Sequence, residues 1–208
     1  DGISFQVKAG DTGFEKLDVN MGSITVGMEQ FALTSQNLNV IVDNQNQLTI
    51  KDMKILQGGQ EGRSTTLSGR VSLDESGEFG LNLNGSMNLY SLSDFFPDFS
   101  FGGEGLIDLQ LKGNFQAPLL YGSVSVNDGF IRHKETNLTF PDFNGDLRLD
   151  GERIELSSIN TRFASGIVLM DGFIEMSWVS MEPLSYQLTL QGNNIQYPFI
   201  EGVDTTVD

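Results

Sequence analysis

Apolar and polar residues alternate along most of this chain. In EFGLNLNGSMNLYSL (78–92) the odd positions Phe79, Leu81, Leu83, Met87 and Leu89 are apolar, interrupted only by Gly85. The even positions Gly80, Asn82, Asn84, Ser86 and Asn88 are small or polar. A period of two marks a strand with one oily face and one wet face. The pattern returns at Ile3/Phe5/Val7, Ile24/Val26/Met28, Leu38/Val40/Val42, Leu48/Ile50 with Met53/Ile55, and Leu67/Val71/Leu73 around Gly69. It continues at Ile107/Leu109/Leu111, Val124/Val126, Leu147/Leu149, Ile154/Leu156 and Tyr186/Leu188/Leu190. These templates predict about 14 strands.

Turn signals separate the runs. Asn-Gly occurs at 84–85 and 144–145, and Asp-Gly at 128–129, 150–151 and 171–172. Such pairs tolerate the positive φ of tight hairpins. Asn84-Gly85 interrupts no alternation, so a bulge or bend is expected there. GIVLMDGFIEMSW (166–178) is apolar on both parities up to Gly172 and keeps one parity afterwards, through Ile174, Met176 and Trp178. That predicts a bulge at Gly172 that resets the register. SLSDFFPDFSFGGEG (91–105) breaks the strand pattern. Ser91 and Asp94 stand at capping-box spacing, Phe95 and Phe96 follow, and Pro97 stops a helix. One short helix is expected near 92–96, flanking the sheet and needing an apolar partner for its Phe pair. No other helical periodicity of three turns exists, so the fold class is all-β.

The 208 residues fit one domain or a short run of repeats. We expect one continuous unit, 1–208, with a strand-rich part over 1–90, the helix at 91–97 and a second strand-rich part over 98–208. The abrupt start at Asp1 and the end in mid-pattern suggest a piece of something larger. Formal net charge is −16, with 12 Lys and Arg against 28 Asp and Glu. Clustered positive charge, which phosphate binding needs, is missing, so nucleic acid is an unsuitable partner. The same deficit opposes docking on an anionic membrane through a basic patch. With no cysteine, the chain has no disulfide, zinc-thiolate site or thiol nucleophile. No apolar run approaches the ~18 residues of a membrane-spanning helix.

Candidate chemistry is thin. GGEGLID (102–108) resembles a Gly-rich calcium repeat, but Ile107 holds the place of the Asp, which comes one residue late at Asp108. DFNGDLRLDGER (142–153) opens like an EF-hand loop, yet Leu147 stands where Gly is needed and Arg153 where a bidentate Glu is needed. His133 is the single histidine, in a basic Arg132-His133-Lys134 run expected to be a solvated loop. It has no second His or any Cys for a triad or metal cluster. Asp146 and Asp150 share a parity with Arg148, as on the wet face of a sheet. Asn84 and Asn137 head Asn-x-Ser/Thr triplets that read as chance. No catalytic constellation, cofactor site or metal site is expected, and we expect no enzyme.

The most specific pattern runs from about 91 to 208. GLIDLQLKGNFQAPLLYGSVSVNDGFI (105–131) reads as a strand ending in Lys-Gly, a Pro-x-x-x-Gly step, and a strand closed by Asp-Gly-Phe-Ile. Phe-Pro-Asp-Phe-Asn-Gly (140–145) and LRLDGERIELSSINTRFASGIVLMDGFIEM (147–176) follow. This grammar resembles the C-terminal region of the TamB family of bacterial translocation and assembly module proteins, within the AsmA-like superfamily of bridge-like lipid transfer proteins. Residues 1–90 match only in texture. The resemblance implies a long antiparallel or mixed sheet, curled like a taco or solenoid into a groove that is apolar inside and polar outside. It implies a periplasmic body of an inner-membrane-anchored Gram-negative protein. It further implies phospholipid as cargo, moved towards the outer membrane, and a TamA-type barrel protein as partner in outer-membrane protein assembly.

The alternation suits that reading. A seven-residue strand spans about 23 Å and 14 strands about 65 Å, roughly one acyl chain wide and many chains long. Expected lining residues are Phe79, Leu81, Leu83, Met87, Leu89, Ile107, Leu109, Leu111, Val124, Val126, Leu147, Leu149, Ile154, Leu156, Ile174, Met176, Leu188 and Leu190. The same alternation also fits a structural β-solenoid or adhesin stalk with a filled core. A carbohydrate-active β-helix is a third class, disfavoured by one Trp and four Tyr.

Overall fold

The computed structural model describes residues 3–10, 13–27, 32–57, 64–94, 96–193, 195–200 and 203–207. The strands are β1 (Ile3–Gly10), β2 (Gly13–Gly27), β3 (Ala32–Asp43), β4 (Gln47–Gln57), β5 (Ser64–Ser72), β6 (Phe79–Asn88) and β7 (Phe99–Asn114). They continue as β8 (Ala117–His133), β9 (Thr139–Gly151), β10 (Arg153–Phe163), β11 (Gly166–Ser177), β12 (Glu182–Asn193), β13 (Ile195–Ile200) and β14 (Val203–Val207). β1 to β12 form one sheet in chain order, and β13 and β14 form a separate pair. The fold is all-β, and the pairings described in its large sheet are antiparallel.

The chain folds as two compact units. One contains residues 1–87 and 107–122, the other 88–106 and 123–208. The second half of β7, from Ile107, and the first part of β8, to Gly122, belong with the first unit.

Short polar side chains make the hairpin turns. The Asp43 carboxylate accepts from the backbone N–H of Gln45 and Gln47 at 2.9 and 3.0 Å. Asn114 does the same for Gln116 and Ala117 at 3.0 and 2.9 Å. Asp74 Oδ1 accepts from Ser76 N at 2.9 Å. Each offers the backbone a local partner where the ladder ends. Of the expected Gly turns, only Asp150-Gly151 lies at a hairpin. Asp128-Gly129, Asn144-Gly145 and Asp171-Gly172 lie inside β8, β9 and β11. Gly85 stays in register with Thr65, and its φ of +141° brings its backbone against the Ser64 carbonyl. No bulge falls there, and the pairing runs on regularly.

Gly172 pairs with Leu156 on one side and Leu188 on the other. The β10–β11 register shifts beside it, between Gly172 and Met170, but the extra residue lies in β10; the β11–β12 register shifts between Glu175 and Met176, with the extra residue, Leu184, in β12. No bulge in β11 itself resets its parity. Val168, Met170, Gly172, Ile174 and Met176 therefore keep one face, and Ile167 and Leu169 are left exposed on the other.

The expected helix at 92–96 is a 3₁₀ helix at Leu89–Asp94, three residues earlier. Asn88 Oδ1 accepts from Tyr90 N at 3.0 Å and caps its start. Leu89 thus belongs to the 3₁₀ helix and not to β6. Phe95 lies outside the described residues. The Phe96 ring finds the apolar partner it needs, meeting Phe101 edge-on at 5.8 Å between centroids.

Candidate functional site

Strand register turns the one-dimensional alternation into rows. In the first unit Val7, Leu17, Val42, Leu48, Val71 and Phe79 are successive cross-strand partners from β1 to β6. Val19, Val40, Ile50, Gly69 and Leu81 form the next row. Adjacent cross-strand apolar pairs are what stabilise such a sheet. On the opposite face Asn82 Oδ1 accepts from Gln110 Nε2 at 3.0 Å. That bond places the polar parities of β6 and β7 together, so Leu81 and Leu83 share the other face with Leu109 and Leu111. Phe79 and Ile107 are buried, whereas Leu81, Leu83, Met87, Leu109 and Leu111 are half-buried. Most of the described side chains of this face therefore retain contact with solvent, and Val7 on edge strand β1 is 69 % exposed.

The second unit has its own rows. Leu149, Ile154, Ile174 and Tyr186 are cross-strand partners, and so are Leu147, Leu156, Gly172 and Leu188. Ser125 Oγ donates to Asp146 at 2.6 Å on the wet face. Val124 and Val126 are therefore placed with Leu147 on the dry one. Val126, Leu149, Leu156 and Met176 are buried; Val124, Leu147, Ile154 and Ile174 are half-buried. Leu89 presses on this face, because a Cβ at Gly105 would lie 2.9 Å from its side chain and 3.5 Å from Val124. At the β12 margin the face opens: Leu188 and Leu190 stand on it but are 38 % and 60 % exposed.

The wet face of this unit carries its charges. Asp146, Arg148 and Asp150 are exposed, and Arg153 lies near Glu155 and Glu175 with its guanidinium 3.5 Å from the Phe173 ring centre. That cation–π contact shields the one aromatic side chain of β11 turned outward. His133 is not in a solvated loop. It ends β8, half-buried, with its ring edge-on to Phe99 at 5.1 Å. Among the described residues no group of three or more His, Asp or Glu could hold a metal ion, and no helix is long and apolar enough to cross a membrane.

Several residues of the dry face escape a reading by alternation. Ile159 is fully buried, yet Ser157 and Ser158 stand before it where the register shifts against both β9 and β11. Thr161 is buried on the same parity, its hydroxyl donating to the Pro141 carbonyl at 2.7 Å. Phe143 and Val168 are buried as well. Phe143 carries a readable signal, since it precedes Leu147 and Leu149 on one parity.

No protein-family model, curated protein or solved structure matches this chain.

Proposed function

We propose that the chain is a segment of a bridge-like lipid transfer protein and that the apolar faces of its two units hold phospholipid acyl chains. The observation that carries this reading is a broad apolar sheet face with in-register rows of side chains that remain half-open to solvent. An apolar surface of this extent is a site for a partner. Each methylene removed from water there contributes about 0.8 kcal/mol. Burial of this kind is non-directional, so chains bind without being fixed in one place. The reading needs no catalytic group, and transport would be non-enzymatic. By its resemblance to the TamB family, the protein would work in the periplasm, anchored in the inner membrane, carrying phospholipid towards the outer membrane beside a TamA-type barrel.

A second reading, a structural β stalk with a filled core, draws support from the second unit, where Ile159, Thr161 and Val168 are buried. The two readings part on one measurement. The chain is expressed in a Gram-negative periplasm, purified without detergent, extracted with organic solvent and analysed by mass spectrometry. Phospholipid in near-stoichiometric amount is expected. Its absence from a folded sample supports the stalk.

A further inference from the structure

The last strand of the large sheet has an unguarded edge. Among the described residues β12 pairs with β11 on one side only, and β13 pairs with β14. Every residue from Glu182 to Gln191 is exposed. Natural edge strands are protected by charge, proline or bulges. Here Pro183 and the register shift at Glu175/Met176 protect only the beginning. PLSYQLTLQGN (183–193) contains no charged residue.

We propose that β12 is a self-pairing edge: two copies of the chain join antiparallel, with Leu188 opposite Leu188 on a two-fold axis. Pairing about Gln187 or Thr189 would also keep like faces together, but it would set Leu190 against Leu184 at the register shift or Tyr186 against Gly192, whereas pairing about Leu188 matches the whole apolar row to itself. Tyr186 meets Leu190, and Gln187 meets Thr189. Ser185 meets Gln191, and Leu184 meets Gly192. Apolar residues thus stay on the dry face and polar residues on the wet face. A slip of one residue would set the two faces against each other. Facing residues of an antiparallel pair lie ~5 Å apart, so the apolar row Tyr186/Leu188/Leu190 would be covered by its own copy.

Electrostatics permits the contact despite the net charge of −16 per chain. The Debye length is about 8 Å at physiological salt. Glu182 lies six residues from the axis, about 20 Å away along an extended strand. Asp171, the cross-strand neighbour of Thr189, is tied in the other direction, accepting from Ser158 N at 2.9 Å. The strand β1 at the opposite end of the sheet order offers no such match, because it carries Lys8, paired with Glu15 at 2.6 Å. A two-fold contact closes on itself, whereas a β12-to-β1 contact would propagate.

The test uses the whole chain in sedimentation equilibrium over a rising concentration series. A limiting mass of twice the chain is expected. Leu188→Lys and Leu188→Glu each place like charges face to face and are expected to stay at monomer mass with an unchanged circular dichroism spectrum. Mixed one to one, the two variants are expected to dimerise again. Since the chain lacks cysteine, Leu188→Cys is expected to give a disulfide dimer on mild oxidation, whereas Gln116→Cys in the β7–β8 turn is expected to remain single. Wild-type protein that stays monomeric throughout overturns the proposal. So do masses that grow past the dimer, a Lys variant that dimerises alone, or equal crosslinking at positions 116 and 188.

Discussion

At Gly172 there is no room for one more carbon. Its φ is +146°, and an added Cβ would lie 2.1 Å from the Gln187 carbonyl oxygen, a backbone atom that cannot swing aside. Strained backbone and overpacking each cost about 1–3 kcal/mol. Gly172→Ala is therefore expected to lower the urea midpoint by about 3 kcal/mol of stability at constant m-value. An unchanged midpoint would show that β11 and β12 separate there freely. Asp74 supplies a residue-scale test of a different kind. The Ser76 hydroxyl, then Ser72 and the Ser76 backbone, hold its exposed carboxyl below the usual carboxylate range. A depressed folded-state value means the turn's contribution is complete above the ordinary carboxylate pKa and fades as pH falls through the lower, folded value. Wild type is expected to exceed Asp74→Asn in urea midpoint at pH 7, with the gap closing under strong acid. Parallel profiles down to the lowest pH would show that the charge contributes nothing.

At the scale of elements, Leu89 packs the start of the 3₁₀ helix at Leu89–Asp94 into its unit. Leu89 is buried against Gly105 and Val124. Truncating a buried Leu costs about 2–5 kcal/mol, and Leu89→Ala is expected to fall in that range by thermal or urea unfolding. A negligible loss would make the segment a passive linker. The position of this helix also shows what the sequence conveyed and what it hid. Ser91 and Asp94 pointed to a start at 92, but Asn88 caps the turn, because an Asx side chain at a strand end satisfies the first free N–H whatever follows. Alternation was legible where register is unbroken, as in β6. It failed at Ile159, where two serines at a register shift displace the parity by one. Asp-Gly pairs misled for a physical reason. The positive φ they allow serves close approach between neighbouring strands as well as reversal of the chain, and only pairing partners distinguish the two. Exposure at Leu188 and Leu190 was illegible because alternation identifies a face and says nothing of whether the face has a neighbour.

For the whole molecule, the in-register apolar rows lie on one face within each unit, and that face sets a thermodynamic expectation. A ligand that binds only the folded state stabilises it by about 2.7 kcal/mol at a hundred times its dissociation constant. For a chain of this size that corresponds to roughly 5–10 °C in melting temperature. Short-chain phosphatidylcholine, kept below its micelle concentration, is expected to raise the melting temperature of the chain. Glycerophosphocholine, with the same headgroup and no tails, is expected to leave it unmoved. Leu109 makes the assay specific. It is half-buried on the dry face of the first unit, so an arginine there can lean its guanidinium towards water along its own methylenes. Leu109→Arg is expected to fold, to melt somewhat below wild type, and to lose most of the lipid-induced rise, because a charge now stands where tails would lie. In a filled core the same guanidinium would be an unpaired buried charge costing several kcal/mol, against a total stability of about 5–15 kcal/mol. A variant that fails to fold would therefore favour the stalk. One that folds and still gains the full rise would take Leu109 out of the lipid path. A wild-type chain indifferent to the lipid would remove acyl chains from the apolar face altogether.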